Sequence, residues 1–121
     1  MPDVQRNELL IFRKFKNELD AYFTELASGA VQTQPTVSHL AARLFFNPSY
    51  LNTVVKGVSG KTASTFIQEK IILEAKSYLM HSDLQITEIA YKLGFANISY
   101  FNRLFKKRTG LSPTSFRKRH P

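Results

Sequence analysis

The sequence contains no cysteine and few glycines, prolines and histidines: 5, 5 and 3 among 121 residues. Without cysteine the chain cannot form a disulfide framework, a zinc ribbon or a thiol nucleophile, so packing must stabilise it. No window approaches the roughly 18 consecutive apolar residues of a membrane span, and the N-terminus lacks the apolar segment of a signal peptide. We therefore expect a cytoplasmic protein that does not cross a membrane.

Acidic residues are scarce toward the C-terminus. Residues 85–121 contain eight Lys/Arg and one Asp/Glu, whereas residues 1–36 contain four and five. The net charge of +8 and a pI near 9.9 indicate a polyanionic partner, either nucleic acid or an anionic membrane surface. The gradient places the predicted anion-binding surface in the last third, although a basic run can also be a solvated face.

Apolar residues recur at three- and four-residue spacing, which predicts an all-α fold of about seven helices. Capping signals such as Asn47-Pro48 and Ser59-Gly60 mark where these helices begin and end. The predicted helices span residues 6–26, 37–45, 48–58, 62–81, 86–93, 98–108 and 113–116.

The sequence contains an internal repeat, since residues 37–66 resemble residues 86–116. Ser49-Tyr50-Leu51-Asn52, for example, matches Ser99-Tyr100-Phe101-Asn102. Each copy is a short helix, a turn and a longer helix, which is the layout of a helix-turn-helix, although short helical hairpins also occur in structural bundles. The predicted segments are an N-terminal helix and loop (1–34), a first helix-turn-helix (35–61), a long connecting helix (62–82) and a second helix-turn-helix with a C-terminal helix (83–121).

The second copy carries a family resemblance. The string from Ile86 to Phe95, followed by Ser99-Tyr100-Phe101, Phe105-Lys106-Lys107 and Ser112-Pro113, resembles the C-terminal DNA-binding domain of AraC/XylS-type bacterial transcription regulators. The resemblance covers residues 36–120 and is looser in the first copy. It implies sequence-specific binding of double-stranded DNA, with RNA polymerase as a further partner. Such a domain is commonly joined to a sensor domain, and residues 1–34 could be the end of a linker to one.

The helices at 48–58 and 98–108 are the predicted recognition helices. Their residues between the apolar positions are expected to read bases: Ser49, Asn52, Thr53, Ile98, Ser99, Asn102 and Arg103. Arg103 suits guanine and the asparagines suit adenine, but Arg103 could instead contact a phosphate, and the hydroxyls could cap backbone. Phosphate contacts are expected from basic residues near helix ends: Lys56, Lys61, Lys106, Lys107, Arg108 and Arg117.

Other side chains have simpler interpretations. Tyr50 and Tyr100 are expected in the core, and residues 117–119 are as compatible with a disordered tail as with a bound one. The connecting helix, about 28 Å long, approximates the ~34 Å between successive major-groove faces. We therefore expect one chain to read an asymmetric site in adjacent grooves, with the second copy contributing most of the affinity.

The main alternatives are a non-specific nucleic-acid-binding module, an RNA-binding module and a protein-interaction helical module. An enzyme is not predicted, because His39, His81 and His120 are widely separated and form no metal or triad pattern. No cofactor or metal is predicted either. The spacing of apolar residues in the first helix approximates a heptad, so a dimer seam is an alternative to packing against the first copy.

Overall fold

A computed structural model describes the backbone of residues 2–121 and the side chains of residues 6–121. Within residues 2–121 it contains seven helices and no strand, which confirms the predicted fold class. The helices are α1 (Pro2–Ser28), α2 (Val37–Arg43), α3 (Pro48–Ser59), α4 (Ala63–His81), α5 (Ile86–Lys92), α6 (Ile98–Thr109) and α7 (Pro113–Arg119).

Local capping determines where these helices begin. The side chain of Thr36 accepts a hydrogen bond from the amide of His39 at the start of α2. Asn47 and Asn97 do the same for α3 and α6, and Ser112 does so for α7. These oxygens bind amide groups that have no partner inside the helix, as the sequence pattern predicted.

The chain divides into two compact units. Unit 1 comprises residues up to 25 and residues 35–68, and unit 2 comprises residues 26–34 and 69–121. The divisions therefore fall inside α1 and α4, whereas the boundaries predicted from sequence lie in the loops between helices. Both long helices contribute residues to both units.

The core of unit 1 is formed by α1, α2, α3 and the first part of α4. Phe15, Leu40 and Leu51 are completely buried. The ring of Phe66 on α4 meets the rings of Phe12 and Phe15 edge-on, at centroid distances of 5.5 and 5.9 Å. Leu9, near the start of α1, is by contrast 54% exposed.

The core of unit 2 repeats this arrangement with α7 in place of the start of α4. Phe101 and Phe105 are completely buried, and the ring of Phe116 lies edge-on to Phe105 at 5.4 Å. Residues 117–119 belong to α7, so a disordered tail is not what the structure contains there.

Candidate nucleic-acid interface

In unit 1 the helix-turn-helix consists of α2, the turn at residues 44–47 and α3. Leu51, Val54 and Val55 bury one side of α3. Ser49 and Thr53, both predicted to read bases, are exposed on the opposite side, as is Lys56. The hydroxyl of Thr53 donates a hydrogen bond to the carbonyl of Ser49 at 2.9 Å, which leaves its methyl group as the free contact.

In unit 2 the corresponding elements are α5, the turn at residues 93–97 and α6. Phe101, Leu104 and Phe105 bury one side of α6. The remaining predicted base-reading residues of this helix lie away from that side: Ser99, Asn102 and Arg103 are exposed, and Ile98 is half-buried.

Asn52 and Asn102 occupy equivalent positions but have different surroundings. The Asn52 side-chain oxygen accepts a hydrogen bond from the first amide of α4, that of Ala63, at 2.9 Å. The equivalent of Ala63 in unit 2 is Pro113, which has no N–H to donate. Asn52 therefore caps α4 from outside the helix, whereas Asn102 is exposed and its amide remains available to a ligand.

Five of the six predicted phosphate-binding cations are exposed. Lys56, Lys106 and Lys107 are exposed, and none forms an ion pair within the described side chains. The amine of Lys61 lies 5.7 Å from the centre of the Phe66 ring, although the residue remains exposed. Arg108 is exposed beside a shallow cleft formed by α4 in unit 2: Glu69, Ile72, Leu73 and Lys76 line it.

Arg117, which was also predicted to contact a phosphate, is half-buried and bonded within unit 2. Its guanidinium donates hydrogen bonds to the carbonyls of Tyr78, Leu79, Ser82 and Leu84, at 2.6–3.4 Å. These carbonyls belong to the end of α4 and the loop after it, where all but that of Tyr78, which also accepts from Ser82, lack a helical partner. The side chain therefore closes the C-terminus of α4 and holds the segment that leads into α5.

A cation at the end of the first helix of each motif holds that helix in its unit. Arg43 on α2 forms hydrogen bonds with Glu18 and Glu25 and lies over the Tyr22 ring at 4.8 Å. The hydrogen bond from Arg43 lowers the pKa of Glu25 below its usual value. In unit 2 the equivalent Lys92 donates to the carbonyl of Ala27 at 3.2 Å.

Two exposed aromatic residues were missed by the sequence analysis. Tyr50 and Tyr100 were expected in the core, but they are 45% and 48% exposed. Each ring packs against a phenylalanine of the preceding turn, Phe46 or Phe95, at centroid distances of 5.8 and 5.7 Å. Their recurrence at equivalent positions beside the outward residues was the signal that could have identified them.

Among the side chains that the structure describes, no group of three or more histidines or carboxylates could hold a metal ion. None of the described helices is long and apolar enough to cross a membrane.

Comparison with known proteins places this architecture. A family model described as a helix-turn-helix domain matches residues 40–119. The bifunctional transcriptional activator/DNA repair enzyme AdaA of Bacillus subtilis is 32% identical over 118 residues, which is 98% of this chain and 50% of AdaA. The C-terminal domain of the response regulator yesN from Fusobacterium nucleatum is 27% identical, with a TM-score of 0.74 over 85% of this chain and 93% of that domain.

A second solved structure shares the fold only. The DNA-binding domain of the global transcriptional factor AdpA, solved in complex with a target DNA, has a TM-score of 0.73 at 21% identity and covers 86% of this chain and 89% of that one. Together with the match to the family model, the architecture is that of a helix-turn-helix DNA-binding domain of transcriptional regulators. The chain belongs to the AraC-type family of these domains. It spans half or less of the length of the first curated relatives that it matches.

Proposed function

We propose that the chain binds a specific, asymmetric site on double-stranded DNA, with α3 and α6 in adjacent major grooves. The observation that carries this proposal is the outward face of α6. Its opposite face is fixed in the core by Phe101 and Phe105, while Asn102, Arg103 and Lys106 are exposed and without intrachain partners among the described side chains. A rigid helix with free polar and cationic groups on one side suits entry into a groove.

The exposed residues of α6 supply the chemistry for reading bases. The guanidinium of Arg103 can donate two hydrogen bonds to guanine O6 and N7. The Asn102 amide can pair with adenine, and Ile98 can contact a thymine methyl group. Ser99 adds a short hydroxyl that can donate or accept.

The α3 surface is a weaker reader on the same chemical grounds. Ser49 and Thr53 have short side chains, and the Thr53 hydroxyl is already bonded within the helix. Because the Asn52 oxygen accepts from the backbone of α4, its amide nitrogen is the group left for a base, which removes the bidentate contact with adenine. We infer that α3 contributes less sequence discrimination than α6.

Phosphate contacts in this proposal come from the basic residues outside the base-reading set. Lys56, Lys106 and Lys107 are the principal contributors because they are exposed and make no ion pair in the described part of the chain. Lys61 and Arg108 contribute from the edges of the two recognition surfaces. Arg117 acts indirectly, by holding the segment before α5.

We propose that the domain acts in the regulation of transcription. The relatives include an activator and a two-component response regulator, so a sensor domain beyond this domain and contact with RNA polymerase are part of the proposal. A chromosomal site would place the protein in the bacterial cytoplasm. We assign no catalytic role to these residues: the repair activity named for AdaA is that of a protein twice the length matched here.

The test is a selection from a random duplex library of about 25 base pairs at near-physiological salt. The wild-type chain is expected to enrich an asymmetric site with two blocks about one helical turn apart, ~10 base pairs. Arg103→Ala is expected to relax one block. Arg13→Ala, which removes the same charge from an exposed position on α1, is the matched control and should enrich the wild-type site.

The results separate this proposal from its alternatives. Uniform, salt-sensitive binding without enrichment would indicate a non-specific nucleic-acid-binding module. Preferential binding of RNA in a competition with duplex DNA would overturn the choice of partner, and binding to neither would leave the protein-interaction module.

A further inference from the structure

Tyr50 and Tyr100 have free hydroxyl groups at equivalent positions of the two recognition helices. Each residue is the third of its helix and about half exposed. Within the described side chains, neither phenolic hydroxyl has a hydrogen-bond partner. A tyrosine that packs one side of its ring and leaves its hydroxyl in water is suited to an interface.

Both rings are held in place by the same local contacts. The backbone amides of Tyr50 and Tyr100 donate to the capping asparagine of their own helix, at 3.3 and 2.9 Å. Their rings are inclined by 52° and 49° to the ring of the phenylalanine in the preceding turn. Each ring is therefore held against its own unit by equivalent contacts, so binding through its hydroxyl costs little further side-chain entropy.

Their position on the helix indicates what they meet. At roughly 100° per residue, Tyr50 lies about 90° from the centre of the exposed face that Ser49, Thr53 and Lys56 form, on the side of the turn. A helix of ~10–12 Å diameter fills a major groove of ~12 Å width. Side chains at the centre of the face then point at base edges, and those at its margin point at the sugar-phosphate wall.

We propose that Tyr50 and Tyr100 each donate a hydrogen bond from the phenolic hydroxyl to a DNA backbone phosphate, one at each recognition helix. This inference rests on the proposed duplex binding and adds a phosphate contact that the basic residues do not provide. A hydroxyl donor is neutral, so it positions the helix against the groove wall without the counterion release that a lysine contributes.

The experiment compares Tyr50→Phe, Tyr100→Phe and Tyr91→Phe by fluorescence anisotropy, on the enriched duplex and on a random duplex. Phenylalanine retains the ring contact and removes only the hydroxyl. Tyr91 is 58% exposed on α5, outside both recognition helices, and serves as the matched control. Tyr50→Phe and Tyr100→Phe are each expected to weaken binding about tenfold on both duplexes, and Tyr91→Phe less than about twofold.

Two further readouts identify the contact. The slope of log K against log salt should equal that of the wild type, because no charge is lost. In a scan of neutral methylphosphonate substitutions through the duplex, one position should abolish the effect of each tyrosine substitution. Thermal unfolding of the free variants should match the wild type.

Each other outcome overturns a defined part of the argument. Unchanged affinity of both variants refutes the tyrosine contact and leaves the proposed function intact. A loss confined to the enriched duplex assigns the hydroxyls to base edges and refutes the phosphate contact. If the wild-type chain binds neither duplex, the proposed function and this inference fail together.

Discussion

Phe45 is predicted to destabilise the fold, so that replacing it with glycine raises the free energy of unfolding. It lies in the turn between α2 and α3 with a φ of 61°, in the left-handed region, and 95% of its surface is exposed. The equivalent residue in unit 2 is Gly94, with a φ of 83°. A residue with a Cβ costs about 1–2 kcal/mol in this conformation.

Phe45→Gly removes that strain and loses almost no packing, because the ring is nearly all in solvent. Glycine also increases the conformational entropy of the unfolded chain, which lowers the free energy of unfolding by about 0.4–1 kcal/mol. We therefore expect a net stabilisation of about 0.5–1 kcal/mol, which raises the melting temperature by about 2–6 °C in a domain of this size.

The measurement is urea and thermal unfolding followed by circular dichroism. Phe45→Ala is the control, because it removes the ring but retains the strain of a Cβ at positive φ, so its stability should lie within about 0.5 kcal/mol of the wild type. A glycine variant no more stable than the wild type would refute the reasoning. So would an alanine variant stabilised as much as the glycine variant.

Four further substitutions test the other local contacts. Gly94→Ala should lower the free energy of unfolding by about 2 kcal/mol or more, since its Cβ would lie 2.8 Å from the backbone nitrogen of Gln34 at a positive φ; an unchanged melting temperature contradicts this. Arg117→Ala should lower the free energy of unfolding in urea by about 2 kcal/mol and leave the slope of log K against log salt for DNA binding unchanged. A shallower slope would instead support the phosphate contact predicted from the sequence. Asn52→Ala should cost about 1 kcal/mol through its lost cap, and Asn102→Ala should leave stability unchanged; equal losses would contradict the difference between the units.

Most of the helical framework could be predicted because its determinants are local. Asn47-Pro48 and Ser112-Pro113 begin helices in the structure as they do in the pattern. Gly60 ends α3 in the left-handed conformation. Caps and periodicity depend on residues within one or two turns, so a single sequence contains the information.

The site could be predicted less well because its differences depend on residues distant in the chain. Asn52 and Asn102 lie in matching stretches of sequence, each shortly after a serine-tyrosine pair. They differ in their hydrogen bonding because Ala63 has an amide hydrogen to donate, whereas Pro113 has none. In the sequence, Arg117 is not distinguishable from the other cations of the C-terminal basic run. Its role is apparent only in the fold, where α7 places its guanidinium beside carbonyls at the end of α4 and in the loop that follows. The spacing of apolar residues also assigns a tyrosine either to the buried face or to the exposed face of a helix. It does not identify residues such as Tyr50 and Tyr100 that lie at the boundary between the two faces.

The two motifs thus share one framework but differ in the groups they present to DNA. The outward face of α6 carries Arg103, Lys106 and Lys107, whereas that of α3 carries Lys56 alone. Because each neutralised phosphate adds about 0.9 to the slope of log K against log salt, α6 should account for most of the salt dependence of binding. Because Asn52 is engaged in capping α4, we expect α3 to contribute less sequence discrimination than α6. The difference arises because Ala63 has an amide hydrogen to donate to Asn52, whereas Pro113 has none to donate to Asn102.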